Sequence, residues 1–193
     1  MTFDISKRGG GALGISVAEC IDKRFNTWRV RTDFQPAYDE DEQHQEGVTF
    51  IETEFPYKPS LQEVKDFCLG VIDAQTDAKI LDGYEFTPDG EENPIVVWLS
   101  KENQTNFSEA HRLEIVPVKF KLNETADKRA IYHTFMTFAE LDRFYKGGVQ
   151  YINQCLNEGW QEKDNFDFTP YEEALNPMAE EEPANESSEE SEL

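Results

Sequence analysis

Residues 82–99, DGYEFTPDGEENPIVVWL, decide how this chain folds. Asp82-Gly83 turns the chain into a short alternating run, Tyr84–Thr87. The segment TPDGEENP then supplies the proline, the Asp-Gly pair and the charge of a hairpin-type loop. Ile95–Leu99 (IVVWL) reads as a short buried strand. Strands joined this closely run antiparallel, because a parallel pair needs a crossover of a dozen or more residues, usually a helix. The expected class is therefore α+β, with an antiparallel sheet of short hairpin strands, and not a βαβ winding.

The segments on either side fit that class. Upstream, Ser60 and Glu63 form a capping box ahead of Leu61, Val64, Phe67, Cys68, Val71 and Ile72, one apolar stripe on a helix of about four turns. Downstream, Ser100 caps a modest helix through Phe107, Ala110 and Leu113. Val116–Leu122 and Ala130–Phe135 alternate as a second strand pair around the loop NETADK. Thr137 and Glu140 make another capping box, opening a helix with the stripe Leu141, Phe144, Tyr145, Val149, Ile152, Cys155 and Leu156, closed by Gly159. Thr169-Pro170-Tyr171-Glu172 starts a last short helix, with proline where helices accept it. Two main amphipathic helices thus pack on the sheet.

The N-terminal part reads differently. Asn26–Phe34 (NTWRVRTDF) alternates as a half-buried strand, QPAYDEDEQHQEG is a loop, and GVTFIETEF resumes an extended pattern. Composition divides the chain into an extended attachment segment at 1–47, an α+β domain at 48–178 and a disordered acidic tail at 179–193.

Charge sharpens the division. The chain carries a net −22, yet residues 1–38 hold six bases against four acids. Asp39–Glu46 holds five acids with no Lys or Arg, and the tail from Ala179 holds seven acids with none. So acidic a surface repels polyanions, and neither nucleic acid nor membrane is an expected partner. No apolar run approaches the roughly 20 residues of a membrane span, and the start lacks the apolar core of a signal peptide. The block that escapes net acidity is Lys7, Arg8, Gly9, Gly10, Gly11 and Leu13, followed by the strand carrying Trp28, Arg29 and Arg31. It reads as a partner-binding arm able to drape over an acidic surface.

Catalytic and cofactor signatures are weak. Gly9, Gly11 and Gly14 fit GxGxxG, but no buried strand precedes them and no parallel-sheet pattern follows, so no dinucleotide is expected. Counted from Asp39, an EF-hand would need glycine at the place of His44 and glutamate at the place of Phe50. His44, His111 and His133 are scattered without metal-ligand spacing, and nothing resembles a nucleophile elbow. Trp28, Trp98 and Trp160 lack a basic groove beside them that would make a base-stacking platform. Cys20, Cys68 and Cys155 are odd in number and far apart, as isolated thiols are. No enzyme activity, cofactor or metal is expected.

From about residue 60 to 175, three segments resemble an uncharacterised domain of tailed bacteriophages and prophages of gut Bacteroides. They are SLQEVKDFCLGVIDAQTDAKILDGYEFT, VWLSKENQTNF and AIYHTFMTFAELDRFYKGGVQYINQCLNEGWQEKD. Within them, I-x-A-x-T-D-x-K-I leads into a G-Y-x-F strand, V-W-L-S opens a helix, and T-F-x-E-L-x-x-F-Y begins the late helix that ends near W-x-x-K-D. Proteins with this domain, including those of crAss-like phages, are similar to virion components encoded near tail, fibre or appendage genes. The resemblance implies a non-enzymatic virion structural protein of the capsid surface, head fibre or tail. It would be homo-oligomeric and docked on other virion proteins. It carries no catalytic residue over to this chain. Two alternatives keep a phage origin: an acidic DNA-mimic inhibitor of a host enzyme, and a fibre-assembly chaperone absent from mature particles.

Overall fold

The computed structural model describes residues 7–38 and 45–177. Expectations for the acidic run at 39–44 and for the tail at 179–193 lie outside the described residues. The fold is α+β, with every strand pair antiparallel. The expected division at residue 47 falls inside a strand, and the chain separates elsewhere into two compact units. One holds Arg8–Asp66 with the chain from Asp167; the other holds Phe67–Phe166.

The first unit is built on a four-stranded sheet of β1 (Gly9–Gly11), β2 (Ala18–Asp22), β3 (Thr27–Tyr38) and β4 (Gln45–Phe55), in the order β1-β4-β3-β2. Three successive strands are joined as hairpins and β1 returns beside β4, a Greek-key order. Glycines in such a run suit a flexible or tightly turned segment; here Gly9–Gly11 are a paired strand. A Cβ on Gly9 would stand 2.6 Å from the Phe50 ring, so the absent side chain is what admits that ring. β3 also runs on through Pro36 into the segment expected to be a loop. β2 pairs only with Thr27–Val30, so among the described residues the far half of β3 has no strand on that side, where a missing N–H is tolerated.

Buried Val30, Phe50, Ile51 and Ala18 form the apolar interior of this unit, joined by Tyr171 and Leu175 of α4 (Thr169–Leu175). The Tyr171 hydroxyl donates to the Arg31 carbonyl at 2.9 Å, so one aromatic anchors α4 and satisfies a strand carbonyl together.

α1 (Leu61–Asp82) begins in this unit and continues into the other. Its capping box forms as expected: Ser60 N donates to Glu63 Oε2 at 2.8 Å and Glu63 N to Ser60 Oγ at 3.3 Å. Of the predicted stripe, Val64, Phe67, Cys68, Val71 and Ile72 are buried and Leu61 is half-buried.

The second unit contains β5 (Tyr84–Phe86), β6 (Ile95–Val97), β7 (Val118–Glu124) and β8 (Ala130–Phe135), with α2 (Lys101–Arg112) and α3 (Phe138–Asp164). β5 pairs with β6 and β7 with β8. Trp98 N donates to Leu122 O at 2.9 Å, tying the chain after β6 to β7. The inner faces bury Val97, Leu99, Leu122 and Phe135 against Phe107 and Ala110 of α2 and Leu141 and Phe144 of α3. Phe144 is the hub: its ring centroid lies 4.6 Å from Phe135, 4.9 Å from Phe107 and 5.1 Å from Phe86.

Both main helices outrun the sequence reading. α1 continues to Asp82, and α3 passes Gly159, the expected terminator, to end at Asp164. Gly159 is a point of close approach: a Cβ there would come within 2.3 Å of Thr76 Oγ1 on α1. Lys163 pairs with Asp73 at 2.6 Å, Lys79 pairs with Glu158, and the Tyr151 hydroxyl donates to Lys79 O at 2.9 Å. These ties extend the polar halves of both helices beyond where apolar periodicity fades.

The second capping box closes only halfway. Thr137 Oγ1 accepts from Glu140 N at 3.3 Å, but the Glu140 carboxylate is buried and turned elsewhere. Its Oε1 accepts from Asp89 N at 2.9 Å and lies 2.9 Å from His133 Nε2. Glu140 therefore fixes the β5–β6 loop and β8 to the start of α3.

Candidate functional site

The arginines of the basic block pair with carboxylates of their own sheet. Arg8 pairs with Asp33 at 2.5 Å and donates through Nε to Thr49 Oγ1 at 3.0 Å. Asp33 reaches it from a β-bulge where its φ is +54°, a conformation aspartate tolerates better than most residues. Arg29 stands opposite Glu54 in the β3–β4 register and pairs with it at 2.5 Å. Arg31, only 2% exposed, stands opposite Glu52 at 3.2 Å. It also reaches Glu19 of β2 at 2.6 Å and the Ser16 carbonyl at 2.9 Å, with its guanidinium 5.1 Å over the Phe50 ring. Trp28 is half-buried, its indole N–H donating to Asn26 Oδ1 at 2.9 Å, with Lys58 Nζ 5.6 Å over its ring. Gly9, Gly10 and Gly11 are strand backbone, while Lys7 and Leu13 are exposed. Leu13 is 59% exposed, and the neighbouring turn exposes Lys23 and Arg24 beside Phe25.

A concavity lies in the other unit, between α2 and α3. It encloses about 230 Å³, lined by Tyr84, Leu99, Phe107, Phe144 and Tyr145, with Gln104 and Ser108 as its polar groups. Adjacent glycines in α3 shape it. Cβ atoms on Gly147 and Gly148 would stand 3.1 and 3.3 Å from the Tyr84 ring, so a pair that costs a helix about 1 kcal/mol per glycine lets that ring pack against the helix backbone. The Tyr84 hydroxyl donates to Phe144 O at 2.5 Å.

Burial pushes the Tyr84 phenol well above its ordinary value of 10.0. A raised folded-state value contributes stability that is whole below pH 10, where tyrosine is protonated in both states, and is lost as pH climbs toward the folded value. We therefore expect alkaline melting curves to stay level up to about pH 10 and to fall above it. Tyr84→Phe should cost about 1 kcal/mol at neutral pH, the worth of its hydrogen bond, and flatten the alkaline slope. A variant with an unchanged alkaline slope would refute this role.

Tyr145 is held in the wall by its neighbours. The His111 ring stacks on it at 4.2 Å and on Phe138 at 5.4 Å, while His111 Nε2 lies 2.9 Å from Asp142 Oδ1. Lys146 and then His111 hold the Asp142 carboxyl below the usual carboxylate range. Ser108, His111 and Asp142 invite comparison with a nucleophile set, but no hydrogen bond joins Ser108 to His111 among the described residues. No cluster of three potential metal ligands occurs among them either. No helix of the described residues is long and apolar enough to cross a membrane.

Sequence reading assigns Phe107, Phe144 and Tyr145 to the core and attaches no site to them. The Gly147-Gly148 pair inside a long apolar stripe is the available signal, since glycine in a helix interior points to close packing. No protein-family model, curated protein or solved structure matches this chain.

Proposed function

We propose that this chain is a non-enzymatic docking module that receives an apolar side chain of a protein partner in the α2–α3 hollow, and that it serves as a structural component of a bacteriophage particle. The docking half of that reading is supported by size. At about 230 Å³ the hollow falls below the roughly 300–1,000 Å³ of small-molecule sites, and it suits one large side chain. Burying such a side chain contributes about 1.5–3 kcal/mol, while association costs at least about 4 kcal/mol in lost freedom. The hollow is therefore an anchor point within a wider contact, in the manner of a hot spot. The phage half rests on the sequence resemblance over residues 60–175. Mass spectrometry of particles purified from a host carrying the gene within its phage tests the whole. A fixed copy number relative to the major capsid protein supports it; absence from mature particles favours a chaperone or a host-directed inhibitor.

A further inference from the structure

The outward face of the β7–β8 pair, with Trp98 beside it, carries a site of different chemistry. Trp98 follows β6, and its backbone N–H is bonded to Leu122 of β7, which sets its ring beside Lys121. Lys121 in turn stands opposite Tyr132 in the β7–β8 register. An aromatic, a lysine and an aromatic thus form a row, with Trp98 37% and Tyr132 55% exposed. Lys121 Nζ lies 6.0 Å from the Trp98 ring centroid, and Lys119 Nζ lies 4.7 Å from that of Tyr132. Beside the row is a hollow of about 420 Å³, inside the small-molecule range, lined by Trp98, Lys119, Lys121, Asn103, Asn106 and Glu102 among others.

The polar groups here are only partly used. Asn103 donates to Trp98 O at 2.9 Å and keeps its side-chain oxygen, and Lys121 pairs with Glu124. The side chains of Glu102 and Asn106 form no hydrogen bond or ion pair among the described residues. Lys119 meets only an aromatic face, so its charge lacks a carboxylate among them. Uncommitted donors and acceptors around an exposed ring suit a ligand with one apolar face and a polar rim. That description fits a pyranose: its C–H face packs on indole and its hydroxyls reach amide and carboxylate groups. A strand of nucleic acid fits less well, because a chain of net −22 repels a polyanion, whereas one added carboxylate is screened within about 8 Å at physiological salt.

We propose that this hollow binds an oligosaccharide bearing a carboxylate, with the sugar ring on Trp98, the hydroxyls on Asn106 and Glu102, and the carboxylate on Lys119. The test places the full chain on an array of neutral, uronic-acid and sialic-acid glycans, with a single-stranded oligothymidylate alongside. Titration calorimetry then follows the best binder. Retention on acidic glycans is expected, with affinity falling at least tenfold in Lys119→Ala and in Asn106→Ala. Both positions are at the surface, so unchanged melting curves would show that these variants fold. Equal retention of neutral and acidic glycans would overturn the role given to Lys119. Binding to the oligonucleotide alone, or to nothing on the array, would overturn the site.

Discussion

Gly83→Ala is expected to destabilise the protein by about 3 kcal/mol or more, read as a lowered midpoint of guanidinium unfolding followed by near-ultraviolet circular dichroism. Two independent penalties meet at this residue. Its φ is +90°, in the region where a side chain costs about 1–2 kcal/mol. A Cβ would also stand 2.0 Å from Val97 O and 2.7 Å from Val97 C, backbone atoms that no rotamer change can move aside. Overpacking of that kind adds about 1–3 kcal/mol. The affected point is where α1 hands over to β5, with Gly83 N donating to Ile80 O at 3.1 Å and Tyr84 in register with Val97. Gly83→Asn separates the two penalties, because asparagine tolerates positive φ but keeps the Cβ. It should remain destabilising by more than about 1 kcal/mol, and a neutral result would show that the close approach costs nothing.

Arg31→Met is expected to cost about 2–3 kcal/mol. Removing one member of a fully buried ion pair costs about 3–5 kcal/mol, since the partner charge is left behind. The figure is lower here because the side chains of Glu19 and Glu52 keep 43% and 32% of their exposure and can be partly hydrated. Arg31→Lys should recover part of the loss: one ammonium keeps the charge but cannot span Glu19, Glu52 and the Ser16 carbonyl as the guanidinium does. Guanidinium denaturation followed by circular dichroism measures both. Were this arginine held in reserve for a partner, as its sequence block suggests, its loss would leave stability within about 0.5 kcal/mol of wild type.

The contrast at Arg31 shows where sequence reading stops. The alternation in Asn26–Phe34 marks a strand, and that strand is present. The alternation cannot say which strand lies opposite. Once β3 and β4 pair, Arg29 and Arg31 fall against Glu54 and Glu52, and two arginines of a net positive block are neutralised across the strands. Register is a tertiary fact, because a slip of one residue would turn these side chains to the other face. Local signals fare better. The Ser60–Glu63 box, the Ser100 cap, the 82–99 hairpin and the Pro170 helix start each depend on neighbours within a few residues, and each is found. Gly159 and Glu140 mislead for the same reason as the arginines. A glycine late in a helix resembles a terminator and a glutamate three residues past a threonine resembles a box, until Thr76 and Asp89 arrive from distant segments. The α2–α3 hollow is assembled from β5, α2 and α3, so only the Gly147-Gly148 pair hints at it in the sequence.

Docking through the α2–α3 hollow is tested most directly by the copy number of Ser108→Phe in purified particles, compared with that of wild type. Ser108 is half-buried on the wall of the hollow, and a phenyl group there would fill space offered to the partner while leaving the core residues Phe107 and Ala110 in place. If a partner side chain occupies the hollow, the variant folds with an unchanged melting temperature and its copy number per particle drops at least tenfold. A folded variant present at the wild-type copy number would contradict that role.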